Sequence, residues 1–100
     1  MKTIMVRYAT SAATADANAL LVRAVFDELH ARAPKGIRYT SYRLTDGRSF
    51  VHVATLDDAD DNPLATLPAF KAFQAGLKER CEEPPVVTEM SIVGSFGGAA

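Results

Sequence analysis

The chain has 100 residues, is 48% hydrophobic and 23% charged, and carries a formal net charge of −1. That length allows one domain with one modest core. The Lys and Arg residues are spread from Lys2 to Arg80, and the near-neutral balance argues against a nucleic-acid grip, which needs clustered positive charge.

No segment approaches the ~18 apolar residues that a membrane span needs. Arg7 interrupts the N-terminal apolar run too early for a signal-peptide core. The single cysteine, Cys81, leaves no internal disulfide, and a reducing, cytoplasmic compartment is the expectation.

The first predicted element is a strand from Thr3 to Ala9. Ile4, Val6 and Tyr8 alternate there with Thr3, Met5 and Arg7, the period of a strand. A small-residue loop follows, in which Thr14 or Asp16 is placed to cap a helix. From Asp16 to about Ala33 the pattern is helical, with Leu21, Val25 and Leu29 every four residues and Ala17, Leu20 and Ala24 widening the stripe. Pro34 ends that helix by disfavouring helical geometry in the residue before it.

Ile37–Leu44 and Arg48–Leu56 then form two strand-like runs around Asp46-Gly47, a pair suited to a two-residue hairpin turn. Pairing Thr45 with Arg48 sets Tyr42 against Val51, Ser41 against His52 and Tyr39 against Ala54. One face then carries Tyr39, Ser41, Arg43, Phe50, His52 and Ala54, and the other carries Thr40, Tyr42, Leu44, Val51 and Val53. Neither is plainly a water face. After an acidic loop and a short turn at Pro63–Leu67, Pro68 opens a second helix with Phe70, Phe73, Leu77 and Cys81 in its apolar stripe. Val86 to Phe96 is predicted as the last strand, the domain spans residues 1–96, and 97–100 form a frayed tail.

Strand-helix-strand-strand-helix-strand is the order of an α+β, ferredoxin-like sandwich, β-α-β-β-α-β. Both helices would pack on one sheet face and leave large apolar side chains on the other. A monomer rarely exposes such a patch, so a second copy of the sheet is the expected cover, in a two-fold homodimer.

Among candidate site residues His52 stands first. It lies mid-strand between Val51 and Val53, on the face of Tyr39, Ser41 and Arg43. That cluster suits binding of a polar group or proton transfer in a pocket between two sheets. The alternative is an interior histidine that is hydrogen-bonded and only helps to specify the dimer. Tyr8 and Arg7 are further pocket candidates, and Tyr39 or Tyr42 could supply a phenol hydroxyl. His30, near a helix end, reads as a surface or interface residue, and Cys81 as a small core residue. Asp58, Asp60 and Asn62 open like a calcium loop, but Pro63 and Ala69 stand where that loop needs Gly and Glu. Two distant histidines and one cysteine make no zinc set. Phe50-Val51-His52-Val53 matches only a fragment of an RNA-recognition motif.

The order of elements, the run Leu67-Pro68-Ala69-Phe70-Lys71-Ala72-Phe73-Gln74-Ala75-Gly76-Leu77 and the closing Val86-Val87-Thr88-Glu89-Met90-Ser91-Ile92-Val93-Gly94-Ser95-Phe96 together resemble the antibiotic biosynthesis monooxygenase-like family. The resemblance extends from Thr3 to Phe96. It implies a homodimeric α+β barrel with a pocket in each subunit between sheet and helices. It also implies oxygenation of a small hydrophobic or aromatic substrate with no metal or flavin, the substrate's own carbanion reducing oxygen. On that reading His52 is the acid/base, and Tyr39, Arg43, Phe50 and Tyr8 contact the substrate. The haem-degrading branch of the family is not matched: the chain has no Trp, no Asn on its first strand and no His on its second helix. A non-catalytic dimer that binds a small molecule is the alternative.

Overall fold

The structure, a computed structural model, describes residues 1–97, and residues 98–100 of the tail predicted for 97–100 lie outside them. The chain runs β1 (Lys2–Thr10), α1 (Ala15–Arg32), β2 (Ile37–Arg43), β3 (Ser49–Leu56), a 3₁₀ turn (Pro63–Thr66), α2 (Pro68–Ala75), α3 (Leu77–Arg80) and β4 (Cys81–Met90). The strands form one antiparallel sheet in the order β2-β3-β1-β4. The helices cover one of its faces, which gives the expected α+β, ferredoxin-like sandwich. The core lies between them, built on Tyr8, Val22, Val25, Phe50, Leu64, Leu67 and Phe73.

The β2–β3 register is the predicted one: Tyr42 opposes Val51, Ser41 opposes His52 and Tyr39 opposes Ala54. The turn between these strands differs. The Gly47 amide donates to the Leu44 carbonyl at 3.0 Å, and at the tip only Gly47 has positive φ, +79°. A two-residue type I′ turn needs positive φ at both central residues, and here Asp46 takes another role. Its Oδ1 accepts from the amides of Arg48 and Ser49 at 2.9 and 2.8 Å. Those bonds favour the carboxylate and lower the Asp46 pKa to about 2, the Ser49 hydroxyl contributing most.

Helix α1 is rotated from its predicted phase. Ala15, Asn18, Val22 and Val25 are its buried residues, whereas Leu20 is 63% exposed and Ala17 and Ala24 face solvent. The predicted stripe admitted only apolar side chains, and the true one includes a buried asparagine. Thr14 occupies the cap position but caps nothing with its side chain. Its hydroxyl donates instead to the Arg80 carbonyl at 2.9 Å and ties the start of α1 to the end of α3.

The second helix is broken at Gly76. A Cβ there would lie 2.8 Å from Nη1 of Arg80, and Arg80 folds back to donate from Nη2 to the Phe73 carbonyl at 2.6 Å. Cys81 consequently leaves the helical stripe and begins β4, which starts five residues before the predicted Val86 and ends at Met90. Pro84 and Pro85 are tolerated because β4 is a sheet edge, where a missing N–H faces no partner strand. Ile92, Val93 and Phe96 lie beyond the strand and are exposed.

Candidate functional site

Alternation along β1 and β3 carries Ile4, Val6, Tyr8, Phe50, His52 and Ala54 to the helix side of the sheet, and the paired register brings Val6 opposite His52. β2 adds Tyr39 and Ser41 beside them. The His52 cluster therefore lies under the helices, not in a space between two sheets as the sequence suggested. A cavity of about 450 Å³ opens there. Its walls are mostly apolar, with Ile4, Val6, Leu64, Phe70, Phe73 and Leu77, and Tyr8, Tyr39 and His52 also line it. The rim reaches solvent at Gln74, Lys78 and Val87, all exposed.

His52 is 3% exposed, and both ring nitrogens are engaged. Nε2 lies 2.7 Å from the Tyr8 hydroxyl, and Nδ1 lies 2.5 Å from Ser41 Oγ and 3.0 Å from the Tyr39 hydroxyl. The imidazole stacks between the two tyrosines, with ring centroids 5.3 Å from Tyr8 and 5.9 Å from Tyr39. Burial disfavours the charged ring and lowers its pKa to about 4. Burial also pushes the Tyr39 phenol up to about 12 and the Tyr8 phenol above its ordinary value. The cluster is therefore neutral throughout the physiological range. It is a set of hydrogen-bond donors and acceptors, not a charged one.

Of the predicted site residues, the fold brings His52, Tyr8 and Tyr39 together at the cavity. Phe50 is buried beside them but packs as core, its ring 5.5 Å from that of Tyr8. Arg43 is elsewhere, at the hairpin end of the sheet. It bonds the Gly47 carbonyl at 2.7 Å and Asp16 at 3.0 Å, with its guanidinium 5.7 Å over the Phe50 ring. Arg7 is exposed on the opposite sheet face, since it alternates with Tyr8. Tyr42 is on that face too and is exposed. His30 is exposed near the end of α1. Cys81 is half-buried, and burial holds its thiol above the usual range, which is the reverse of a nucleophile's need.

Sequence reasoning missed Asn18 and Arg80. Asn18 is fully buried, donates from Nδ2 to the Tyr8 hydroxyl at 2.8 Å, and accepts at Oδ1 from Arg80 Nε at 3.0 Å. The available signal was a polar residue at the i+3 position from Ala15 and i−4 from Val22, on one helix face. Among the described residues, no three His, Cys, Asp or Glu side chains gather as a metal set. No helix there is long and apolar enough to cross a membrane.

No family model matches the chain, and no curated protein matches it. Solved structures do. One is an antibiotic biosynthesis monooxygenase with TM-score 0.77 and 13% identity, covering 94% of this chain and 100% of that one. A second is Rv0793 from Mycobacterium tuberculosis, with TM-score 0.75 and 22% identity, covering 94% of this chain and 96% of that one. A third is a protein from Nitrosomonas europaea named provisionally as an antibiotic biosynthesis monooxygenase, with TM-score 0.78 and 12% identity, covering 94% and 100%. Identities this low speak for the fold and leave the activity to the site. The chain has the antibiotic biosynthesis monooxygenase-like fold that its sequence resembles, over nearly its whole length.

Proposed function

We propose that this protein binds a small aromatic molecule bearing an oxygen substituent between its sheet and helices, and oxygenates it without a resident cofactor. The observation that carries this reading is a neutral, buried histidine joined to two tyrosine hydroxyls in a mostly apolar cavity that reaches solvent. Apolar walls with a few convergent polar groups are the usual make-up of a small-molecule site. The walls suit a flat ring, and the polar groups suit its oxygen. Tyr8 and Tyr39 are the substrate contacts and His52 the proton acceptor. Arg43 takes no part, because it lies outside the cavity.

The chemistry is that of an activated methylene. Loss of one C–H proton gives an electron-rich carbanion, which reduces molecular oxygen. A carbon–oxygen bond forms, the oxygen–oxygen bond breaks, and one water leaves as the CH₂ becomes a C=O. The protein binds the ring, keeps bulk water away and accepts the proton. With a conjugate acid near 4, His52 is a weak base for a carbon acid, so it serves when the reaction with oxygen draws the anion off as it forms.

A different observation favours one alternative. Because every polar atom of the cluster is already bonded without a ligand, the cavity also suits simple binding by a non-catalytic dimer. Oxygen uptake with anthrone as probe separates the two. The expected result is anthraquinone formed faster than in buffer, and loss of that acceleration in a folded His52→Ala variant. Anthrone bound with no uptake supports the binding dimer, and unchanged turnover in the variant removes His52 from the reaction.

We assign the open sheet face to a second copy of the chain, in a homodimer. Tyr42 and Val86 are 55% and 62% exposed there, beside the partly exposed Met5, Val51 and Val53. Free Cys81 supports placing the protein in the reducing cytoplasm.

A further inference from the structure

Arg80 gives the hydrogen-bond network a direction. A guanidinium has only donors, so the Asn18 carboxamide must turn its oxygen to Arg80 Nε, 3.0 Å away. Its NH₂ then faces the Tyr8 hydroxyl at 2.8 Å. The Tyr8 oxygen is thereby an acceptor toward Asn18, and its single proton is left for His52 Nε2 at 2.7 Å. With that proton given to Nε2, the neutral ring carries its own on Nδ1, where the oxygens of Ser41 and Tyr39 receive it at 2.5 and 3.0 Å.

From these directions we infer that Arg80 and Asn18 are positioning residues that lock His52 as its Nδ1–H tautomer and aim its basic Nε2 at the Tyr8 hydroxyl, which becomes the shuttle for a ligand's proton. Arg80 is itself held in place. Its Nη2 donates to the Phe73 carbonyl, its guanidinium stacks 5.5 Å over the Phe73 ring, and its carbonyl accepts from Thr14 and from the Ser11 amide. The carboxamide is fully buried, and a flip would set its NH₂ against Arg80 Nε and leave that donor unpaired, at roughly 1–3 kcal/mol.

The directions also define the ligand class, and this part rests on the function proposed above. The Tyr8 oxygen keeps a second lone pair. A ligand proton transferred to it lets Tyr8 pass its own proton to Nε2, so one O–H bond forms as another breaks. The charges end on a ligand anion and an imidazolium whose Nδ1–H still has its acceptors. Tyr39 accepts from Nδ1 and so keeps its own proton to offer the cavity. The site therefore fits a ligand with an acidic hydrogen at Tyr8 and an acceptor oxygen at Tyr39.

Long-range ¹H–¹⁵N NMR of the ligand-free protein at pH 7 reads which ring nitrogen is protonated. The expected result is Nδ1–H. Asn18→Asp is nearly isosteric, but its carboxylate accepts from both Arg80 and Tyr8. It turns the Tyr8 proton away from His52, and Nε2 should become protonated. A wild-type ring protonated on Nε2, or a folded Asn18→Asp variant with the tautomer unchanged, overturns the inference. If that variant does not fold, Arg80→Gln removes the obligate donor and is expected to give mixed tautomers; a pure Nδ1–H ring there also overturns it. No ligand is used, so a failure of the anthrone assay with these spectra intact would strike the proposed function alone.

Discussion

Alternate residues of β3 meet different surroundings. Phe50, His52 and Ala54 are buried beneath the helices, whereas Val51 and Val53 stay partly exposed on the other side of the same sheet. Beneath the helices Tyr8, His52, Ser41 and Tyr39 of the covered face form one bonded set with Asn18 of α1. The open face holds Met5, Tyr42, Val51, Val53 and Val86, interleaved with Thr3, Arg7, Thr40, Thr55 and Thr88. Polar groups can be buried only when their partners are fixed, and the helices supply that fixing on one side alone. On the function proposed above, the side with chemistry is the one the chain covers itself, and the other side is the one assigned to a second copy.

The largest expected consequence of this difference is in core packing. Phe50→Ala on the covered face removes a buried ring that stacks on Tyr8 and should cost about 3–5 kcal/mol in urea unfolding. A loss under about 1 kcal/mol would mean that the cavity beside it relaxes to fill the gap.

The next effect is the pH dependence of stability. His52 titrates near its ordinary value when unfolded and at about 4 when folded, so between those values the unfolded chain binds more protons. Stability is then fully present above about pH 6.5 and falls as pH drops toward 4, by roughly 3 kcal/mol in all. Asp46 contributes in a lower window, with stability present above about pH 4 and lost toward 2. Unfolding measured from pH 7 to 4 should show the first slope in the wild type and not in His52→Phe. A slope retained in that variant would place its origin in other groups.

The smallest effect is on the open face. Val51→Ala should cost under about 1 kcal/mol at low protein concentration, because the side chain is only partly buried. If a second copy covers it, the loss should grow with protein concentration, as subunit linkage requires. A loss that is large at every concentration would break the contrast between the faces.

Much of this contrast was legible in the sequence. Period-two alternation around Asp46-Gly47 gave the β2–β3 register residue by residue, and with it the grouping of Tyr39, Ser41 and His52. What the pattern lacked was depth, because alternation sorts residues into faces without saying which face the helices cover. Helix phase failed for a related reason. Counting only apolar residues favoured Leu20 and Ala24 and passed over Asn18, whose burial depends on Arg80, 62 residues away. Arg43 was grouped by alternation with His52, correctly as to face, but the hairpin tip captured its guanidinium. The break at Gly76 coincides with Arg80 folding back onto the Phe73 carbonyl, and the glycine itself was the one local signal for it.

The most direct test of the central claim is an amide and methyl NMR titration with 1-naphthol, a flat ring with one hydroxyl. Shifts concentrated at Val6, Leu64, Phe73 and Val87, with Val51 and Thr88 unmoved, are the predicted result. Saturable shifts on the open face, or none at the cavity at millimolar probe, would contradict the assignment of the functional site to the helix-covered side.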